Sequence, residues 1–149
     1  MQKLQVGMVL IVAVTVIVVS VLASTLLMAS QRIPNSGDVK AVGVCVYWDS
    51  GCTNNVTSID WAFIEPGKNT NVTVYIANKG TLPLKLNMTT EDWNPASASS
   101  KIFLTWNREN YVLNAGSVVQ TVLTLSASSD ISGIATFSFD ILITGTEYA

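Results

Sequence analysis

NTNVTVYIA, residues 69–77, is the stretch of sequence that determines the fold class. Valine or isoleucine occupies positions 72, 74 and 76, and Thr73 and Tyr75 stand between them. Side chains of a β-strand point alternately to opposite faces, so this period-two pattern predicts a strand with one buried face.

The same alternation recurs on both sides of this stretch, and turn residues such as Glu65-Pro66-Gly67 and Asn78-Lys79-Gly80 separate the segments. Seven or eight strands result, and no helical pattern follows residue 30. Regularly spaced short strands of this kind predict an all-β, antiparallel β-sandwich. The other predicted strands are 40–48, 58–64, 82–86, 102–106, 111–113, 117–127 and 134–144, and residues 89–100 form the longest predicted break.

An almost unbroken apolar run precedes the strands. Residues 4–30 read LQVGMVLIVAVTVIVVSVLASTLLMAS, without a charge between Lys3 and Arg32. A helix that crosses a bilayer needs about 20 apolar residues. We therefore predict one N-terminal transmembrane signal-anchor over residues 1–30, a linker over residues 31–39 and a sandwich domain over residues 40–146.

Orientation follows from the charges and from the composition of the exported part. Lys3 and the α-amino group favour a cytoplasmic N-terminus. Two cysteines and three Asn-x-Thr sequons after residue 40 are typical of an extracellular domain. We expect a single-pass cell-membrane protein with its domain outside. The alternative of a cleaved signal, which would leave a secreted sandwich, stays open.

Composition excludes several function classes. The formal net charge is −2 and there is no basic patch, so nucleic acid is not an expected partner. Histidine is absent, which removes the commonest general base and metal ligand. No nucleophile elbow, phosphate-binding loop or zinc motif occurs. We expect neither an enzyme nor a cofactor.

The two cysteines, Cys45 and Cys52, are close in sequence. In an oxidising compartment such a pair usually forms a disulfide, which we predict here. The alternative is a pair of free, partly buried thiols. Three sequons make Asn55, Asn71 and Asn87 candidate glycosylation sites.

Trp93 is the candidate ligand contact because it lies in the long predicted break, whereas Trp61 and Trp106 are in phase with apolar neighbours and are expected in the core. The alternative for Trp93 is that it pins its loop onto the sandwich. Glu91 and Asp92 beside Asn94 offer oxygen ligands for calcium, but no spaced acidic loop accompanies them, so a solvated loop is expected.

The run Glu65-Pro66-Gly67, residues 71–76 and Asn78-Lys79-Gly80-Thr81 resembles a pattern of CARDB-type and other Ig-like modules of exported prokaryotic proteins. The chain from about 40 to 144 is similar to small signal-anchored Ig-like surface proteins of archaea. It also shows a distant likeness to TasA- and camelysin-type exported proteins, some of which form extracellular fibres. The resemblance implies an Ig-like fold and an exported location.

We therefore expect a membrane-tethered structural, adhesion or interaction module. The alternative is a subunit of an extracellular filament, assembled by strand exchange or in the manner of a pilin. A third hypothesis is a carbohydrate-binding module that uses Trp93. The expected partners are the membrane and, outside the cell, surface proteins, glycans or copies of the chain itself.

Overall fold

The computed structural model describes residues 33–149, which lie in one compact unit, Arg32–Ala149. This part of the chain forms nine strands and one short 3₁₀ helix, Ala96–Ser100. The strands are β1 (Ile33–Val42), β2 (Cys45–Tyr47), β3 (Ser58–Ile64), β4 (Asn69–Ala77), β5 (Leu84–Asn94), β6 (Ile102–Trp106), β7 (Val112–Leu113), β8 (Val118–Ala127) and β9 (Phe137–Glu147).

The strands form two sheets that pack face to face. Sheet A has five strands in the order β3-β1-β9-β5-β7, and sheet B has four in the order β2-β4-β8-β6. The predicted all-β sandwich is confirmed. Two details differ from the prediction: the described residues form nine strands, and β1 runs parallel to β9. A parallel neighbour was not expected because most sandwich strands are joined by hairpins.

The core lies between the sheets and follows the predicted alternation. Val74 and Ile76 on β4 are fully buried, as are Leu123 and Leu125 on β8. The inner face of β9 begins with Phe137 and Phe139 and continues through two buried isoleucines at 141 and 143. The period-two pattern therefore identified the inner faces of the longest strands correctly.

The predicted strand over residues 40–48 is wrong, because the chain changes sheets inside it. β1 ends at Val42 in sheet A, and β2 begins at Cys45 in sheet B. The chain changes direction at Gly43, whose φ is 77°. Residues with a side chain rarely adopt this backbone conformation. As a result Val42 is 58% exposed, although Val44 and Val46 are buried.

The predicted linker over residues 31–39 is also wrong from Ile33 onward, because these residues belong to β1. Gly37, which suggested a flexible segment, faces the core. A Cβ at Gly37 would lie 3.3 Å from the carbonyl oxygen of Phe139 and 3.5 Å from Trp61 Nε1. The glycine is therefore explained by close packing within a strand.

The predicted break at residues 89–100 is half strand, since β5 continues to Asn94. Its pairing with β9 is interrupted between Glu91 and Asn94, and Asp92 has a φ of 52°. A bulge of this kind lets a strand contain residues whose sequence suggests a loop. A cis peptide bond, Asn94–Pro95, then leads into the 3₁₀ helix.

The predicted transmembrane helix, residues 1–30, lies outside the described residues. Within residues 33–149, no helix has the length and apolar character needed to span a membrane.

Candidate interaction site at the edge of the sandwich

A cleft opens along one lateral side of the sandwich, where both sheets end in incompletely paired strands. Within residues 33–149, β6 pairs with β8 alone, and β7 pairs with β5 only at Leu84 and Lys85. The remainder of β5 and the whole of β6 therefore border the opening. The cleft has a volume of about 430 Å³ and is lined by Thr90, Trp93, Ser99 and the β6 residues 102–105. We call it the edge cleft.

The backbone of β6 presents hydrogen-bonding groups to the edge cleft. Ser128 N–H donates to the Lys101 carbonyl (2.8 Å), and Asn107 N–H donates to the Val122 carbonyl (3.3 Å). In an antiparallel ladder these bonds recur at every second residue, so residues 101, 103, 105 and 107 face β8. The N–H and C=O groups of the even-numbered residues, 102, 104 and 106, therefore face outward.

The same alternation applies to β5. Leu86 N–H donates to the Tyr111 carbonyl at 2.8 Å, and Asn110 N–H donates to the Leu86 carbonyl at 3.0 Å. Beyond Leu86 the outward side of β5 has no strand partner in the described part of the chain. The cleft is thus bordered by two strand edges, the arrangement that accepts an added strand.

Trp93 forms the floor of the edge cleft, and its ring packs against the core of the sandwich. Its ring stacks on Phe139 with a centroid distance of 4.2 Å and an interplanar angle of 9°. Its indole Nε1 donates to Thr90 Oγ1 at 3.2 Å. The core therefore covers one face of the Trp93 ring. This agrees with the alternative prediction, in which Trp93 pins its segment onto the sandwich.

Sequence reasoning missed Phe103, which is 52% exposed on β6. It is out of phase with Ile102, Leu104 and Trp106, and this phase is the signal by which it could have been found.

The two tryptophans that were predicted to lie in the core differ in their burial. Trp61 is 3% exposed, whereas Trp106 is half-buried and donates from Nε1 to Glu109 Oε2 at 2.6 Å.

An electrostatic cluster lies on the neighbouring strands β1, β9 and β5. Lys40 Nζ is 2.6 Å from Asp140 Oδ2, 3.3 Å from Glu91 Oε1 and 3.7 Å from Asp92 Oδ2. Hydrogen bonds to Asp140 and then to Glu91 raise the pKa of the Lys40 ammonium above its usual range. The three carboxylates could together hold a metal ion, but Lys40 already supplies the positive charge at their centre.

The predicted disulfide is not formed, since Cys45 and Cys52 are both free and half-buried. Cys45 lies in the ladder of β2 opposite Ala77, and the Cys52 thiol approaches the Ser50 carbonyl at 3.9 Å. The loop between the cysteines is closed instead by the carboxylate of Asp49.

Asp49 Oδ1 accepts a hydrogen bond from Asn54 N–H at 2.8 Å, and Oδ2 accepts one from Thr53 Oγ1 at 3.0 Å. The Asn54 N–H lowers the pKa of Asp49 most, and Thr53 contributes to the same shift. At the end of β2, partial burial raises the pKa of Tyr47, and a hydrogen bond with the Cys45 thiol adds to this effect.

All three sequon asparagines are exposed. Asn55 lies in the loop after β2, Asn71 on β4 and Asn87 on β5. In the two strand sequons the threonine is also exposed and the residue between is half-buried, as the alternation predicted. Glycosylation of these sites stays a prediction.

No protein-family model matches the chain, and a comparison with curated proteins finds no relative. Among solved structures, an ASH/PapD-like domain of human CEP192 (PapD-like domain 7) is similar to this chain. The match covers 57% of this chain and 77% of that domain. The sequence identity is 11% and the TM-score is 0.30. The assignment of a β-sandwich rests on the strand pairing of the chain itself.

Proposed function

We propose that the chain is a non-enzymatic, membrane-tethered surface protein whose Ig-like β-sandwich serves as an interaction module. The observation that carries the binding role is the edge cleft, where the outer edge of β6, which has no strand partner among residues 33–149, borders an apolar floor. Strand addition at such an edge provides affinity through main-chain hydrogen bonds and specificity through alternate side-chain pockets. The apolar run 4–30 and the exposed sequons support the surface location.

The free cysteines provide a direct test of the location. Intact cells are treated with a membrane-impermeant reductant and then with a membrane-impermeant maleimide, which labels accessible thiols. We expect Cys45 and Cys52 to be labelled without lysis, because both are half-buried rather than enclosed. A Cys45→Ser/Cys52→Ser variant is the control for background labelling. Labelling that requires lysis would refute the proposed topology.

A second candidate function is a filament subunit that exchanges strands, and β1 is the feature that favours it. β1 is the first strand of the compact unit and lies between β3 and β9. Its inward side contributes little apolar surface, since Asn35, Gly37 and the half-buried Val39 occupy it. If β1 moved to another copy, it would leave a groove with a strand edge on each side, which β1 of the next copy could fill.

A paired-cysteine variant tests this candidate. Asp38 and Ser58 lie opposite each other on β1 and β3, and both are exposed. In the Asp38→Cys/Ser58→Cys variant, with Cys45 and Cys52 changed to serine, a closed domain forms its disulfide within one chain. A strand-exchanged filament links successive chains and yields a ladder on a non-reducing denaturing gel. A single monomer band from assembled surface material would exclude exchange of β1.

A further inference from the structure

β6 is the least protected terminal strand of the two sheets in the described part of the chain. The outer strands are β3 and β7 in sheet A and β2 and β6 in sheet B. β2 has three residues and β7 two, which is too short to add a strand stably. β3 carries Asp60 and an irregularity at Ala62, where φ is 56° and the register with β1 shifts.

β6 has neither kind of protection. Its five residues, IFLTW, contain no charge, no proline and no register shift with β8. Proteins commonly protect strand edges with lysine, proline, bulges or short length, because an unprotected edge pairs with another strand. An apolar, uncharged strand at the rim of a cleft is therefore a surface for pairing.

We propose that β6 pairs antiparallel with β6 of a second copy of this chain, about a two-fold axis at Leu104. The three residues whose backbone groups face outward, 102, 104 and 106, are symmetric about this position. Leu104 then meets Leu104 of the second copy, and Ile102 meets Trp106. Every outward N–H and C=O group of β6 gains a partner in this register, and a shift by one residue would leave them mismatched.

The side chains fit the same register. Phe103 lies opposite Thr105 of the second copy, and Ile102 lies opposite Trp106, so each of these two pairs joins an aromatic with a β-branched residue. At the rim Lys101 faces Asn107, and its ammonium is already paired with Asp130 at 2.7 Å. No like charges therefore lie directly opposite each other, and the partner that matches this edge is the edge itself.

The contact is self-complementary, so it closes into a dimer and does not propagate into a fibre. Five residues on each side form a smaller contact than the roughly 1,200–2,000 Å² of a stable interface, so we expect weak pairing. Copies tethered to one membrane would associate at a raised effective concentration. The inference rests on the proposed binding role of the edge cleft and names its partner.

Charge variants at the two exposed positions test the pairing. In full-length protein in liposomes, Phe103→Lys/Thr105→Lys places lysine opposite lysine twice, and Phe103→Glu/Thr105→Glu does the same with glutamate. We expect each variant alone to be monomeric by chemical cross-linking and the mixture of the two to form heterodimers. Gln120→Lys, at an exposed position of the central strand β8, is the charge control and should dimerise like the wild type.

Single cysteines test the register independently of charge. In a Cys45→Ser/Cys52→Ser background, Leu104→Cys brings two Cα atoms to about 5.5 Å, the separation of a hydrogen-bonded antiparallel pair, which is within disulfide range. We expect mild oxidation to cross-link the Leu104→Cys protein several-fold faster than the Phe103→Cys or Thr105→Cys proteins. A mixture of the last two should cross-link to each other.

A monomeric wild type, equal cross-linking at all three positions, or a mixture of charge variants that fails to pair would overturn the inference. None of these results bears on the surface location, which thiol labelling of intact cells measures separately. If β6 binds another extended segment, the wild type would be monomeric and the Leu104→Cys protein would not cross-link to itself.

Discussion

The Cβ that Gly43 lacks would lie 2.5 Å from the carbonyl oxygen of Gly145. The two glycines bring the turn after β1 against the end of β9, where the chain leaves sheet A for sheet B. The requirement is mutual, because a Cβ at Gly145 would lie 2.7 Å from Val44 Cγ1. The change of sheet therefore depends on two positions, about a hundred residues apart, that both lack a side chain.

Gly43→Ala should destabilise the domain by about 3–4 kcal/mol. About 1–2 kcal/mol comes from the positive φ, and the remainder comes from overpacking against Gly145. Gly116→Ala is the matched control, since Gly116 has a φ of 69° but a Cβ added there would meet nothing within 4 Å. Denaturant unfolding should show a loss of about 1–2 kcal/mol for the control. Equal losses for the two variants would contradict the close contact.

Trp93→Ala should destabilise the domain by about 2–3 kcal/mol, because the indole stacks on Phe139 and is only half-buried. Trp48→Ala, which truncates a tryptophan that is 38% exposed, should cost about 0.5 kcal/mol. Thermal and denaturant unfolding give both values. A glycan array compares the same two variants: unchanged glycan binding by a folded Trp93→Ala protein would exclude Trp93 from a carbohydrate site.

Lys40→Met should lower the melting temperature more than Lys101→Met, because Lys40 contacts three carboxylates and Lys101 contacts one. Both sites are solvent-accessible, so the difference should shrink as salt is added. The raised pKa of Lys40 means that its contribution is complete below pH about 10.4 and is lost as the pH rises further. A difference independent of salt would indicate lost packing of the side chain.

Asp49→Asn should reduce stability in a pH-dependent way. The folded-state pKa of Asp49 is lowered by the Asn54 and Thr53 donors, so the carboxylate stabilises the folded state above its unfolded pKa of about 3.9. This contribution is lost as the pH falls through the lower, folded-state value. Calorimetry from pH 7 downward should show the difference from the wild type narrowing below about pH 4. A constant difference would show that ionisation of Asp49 is not coupled to folding.

The sequence identified the strands whose two faces differ most. β3, β4 and β6 have the predicted bounds, because a turn with glycine, proline or asparagine ends each segment. The alternation is uninterrupted in β4 and β6, whereas in β3 it shifts at Ala62, so that Phe63, expected on the inner face, is exposed and Ile64 is buried instead. The prediction was wrong where local chemistry and tertiary contacts disagree. Gly37 suggests a linker but packs under a tryptophan, and Val42 continues an alternating series but lies beyond the end of the buried face.

The candidate site could be predicted only in part. Trp93 was found from its position in a polar stretch, but the edge cleft depends on which strands stop pairing, and strand order is not visible in local periodicity. Asp140 and Lys40 escaped notice for the same reason. They are distant in sequence and meet because β1 and β9 are neighbours, so no local motif indicates their contact with Glu91.

The position of β1 between β3 and β9 has a mechanical consequence. A pull on Ile33 that is directed along β1 loads a strand that is bonded to one neighbour on each side. Such a load shears both ladders at once, whereas a hairpin at a sheet edge opens one bond at a time. The strand that joins the domain to the preceding residues is therefore placed to carry tension without unzipping.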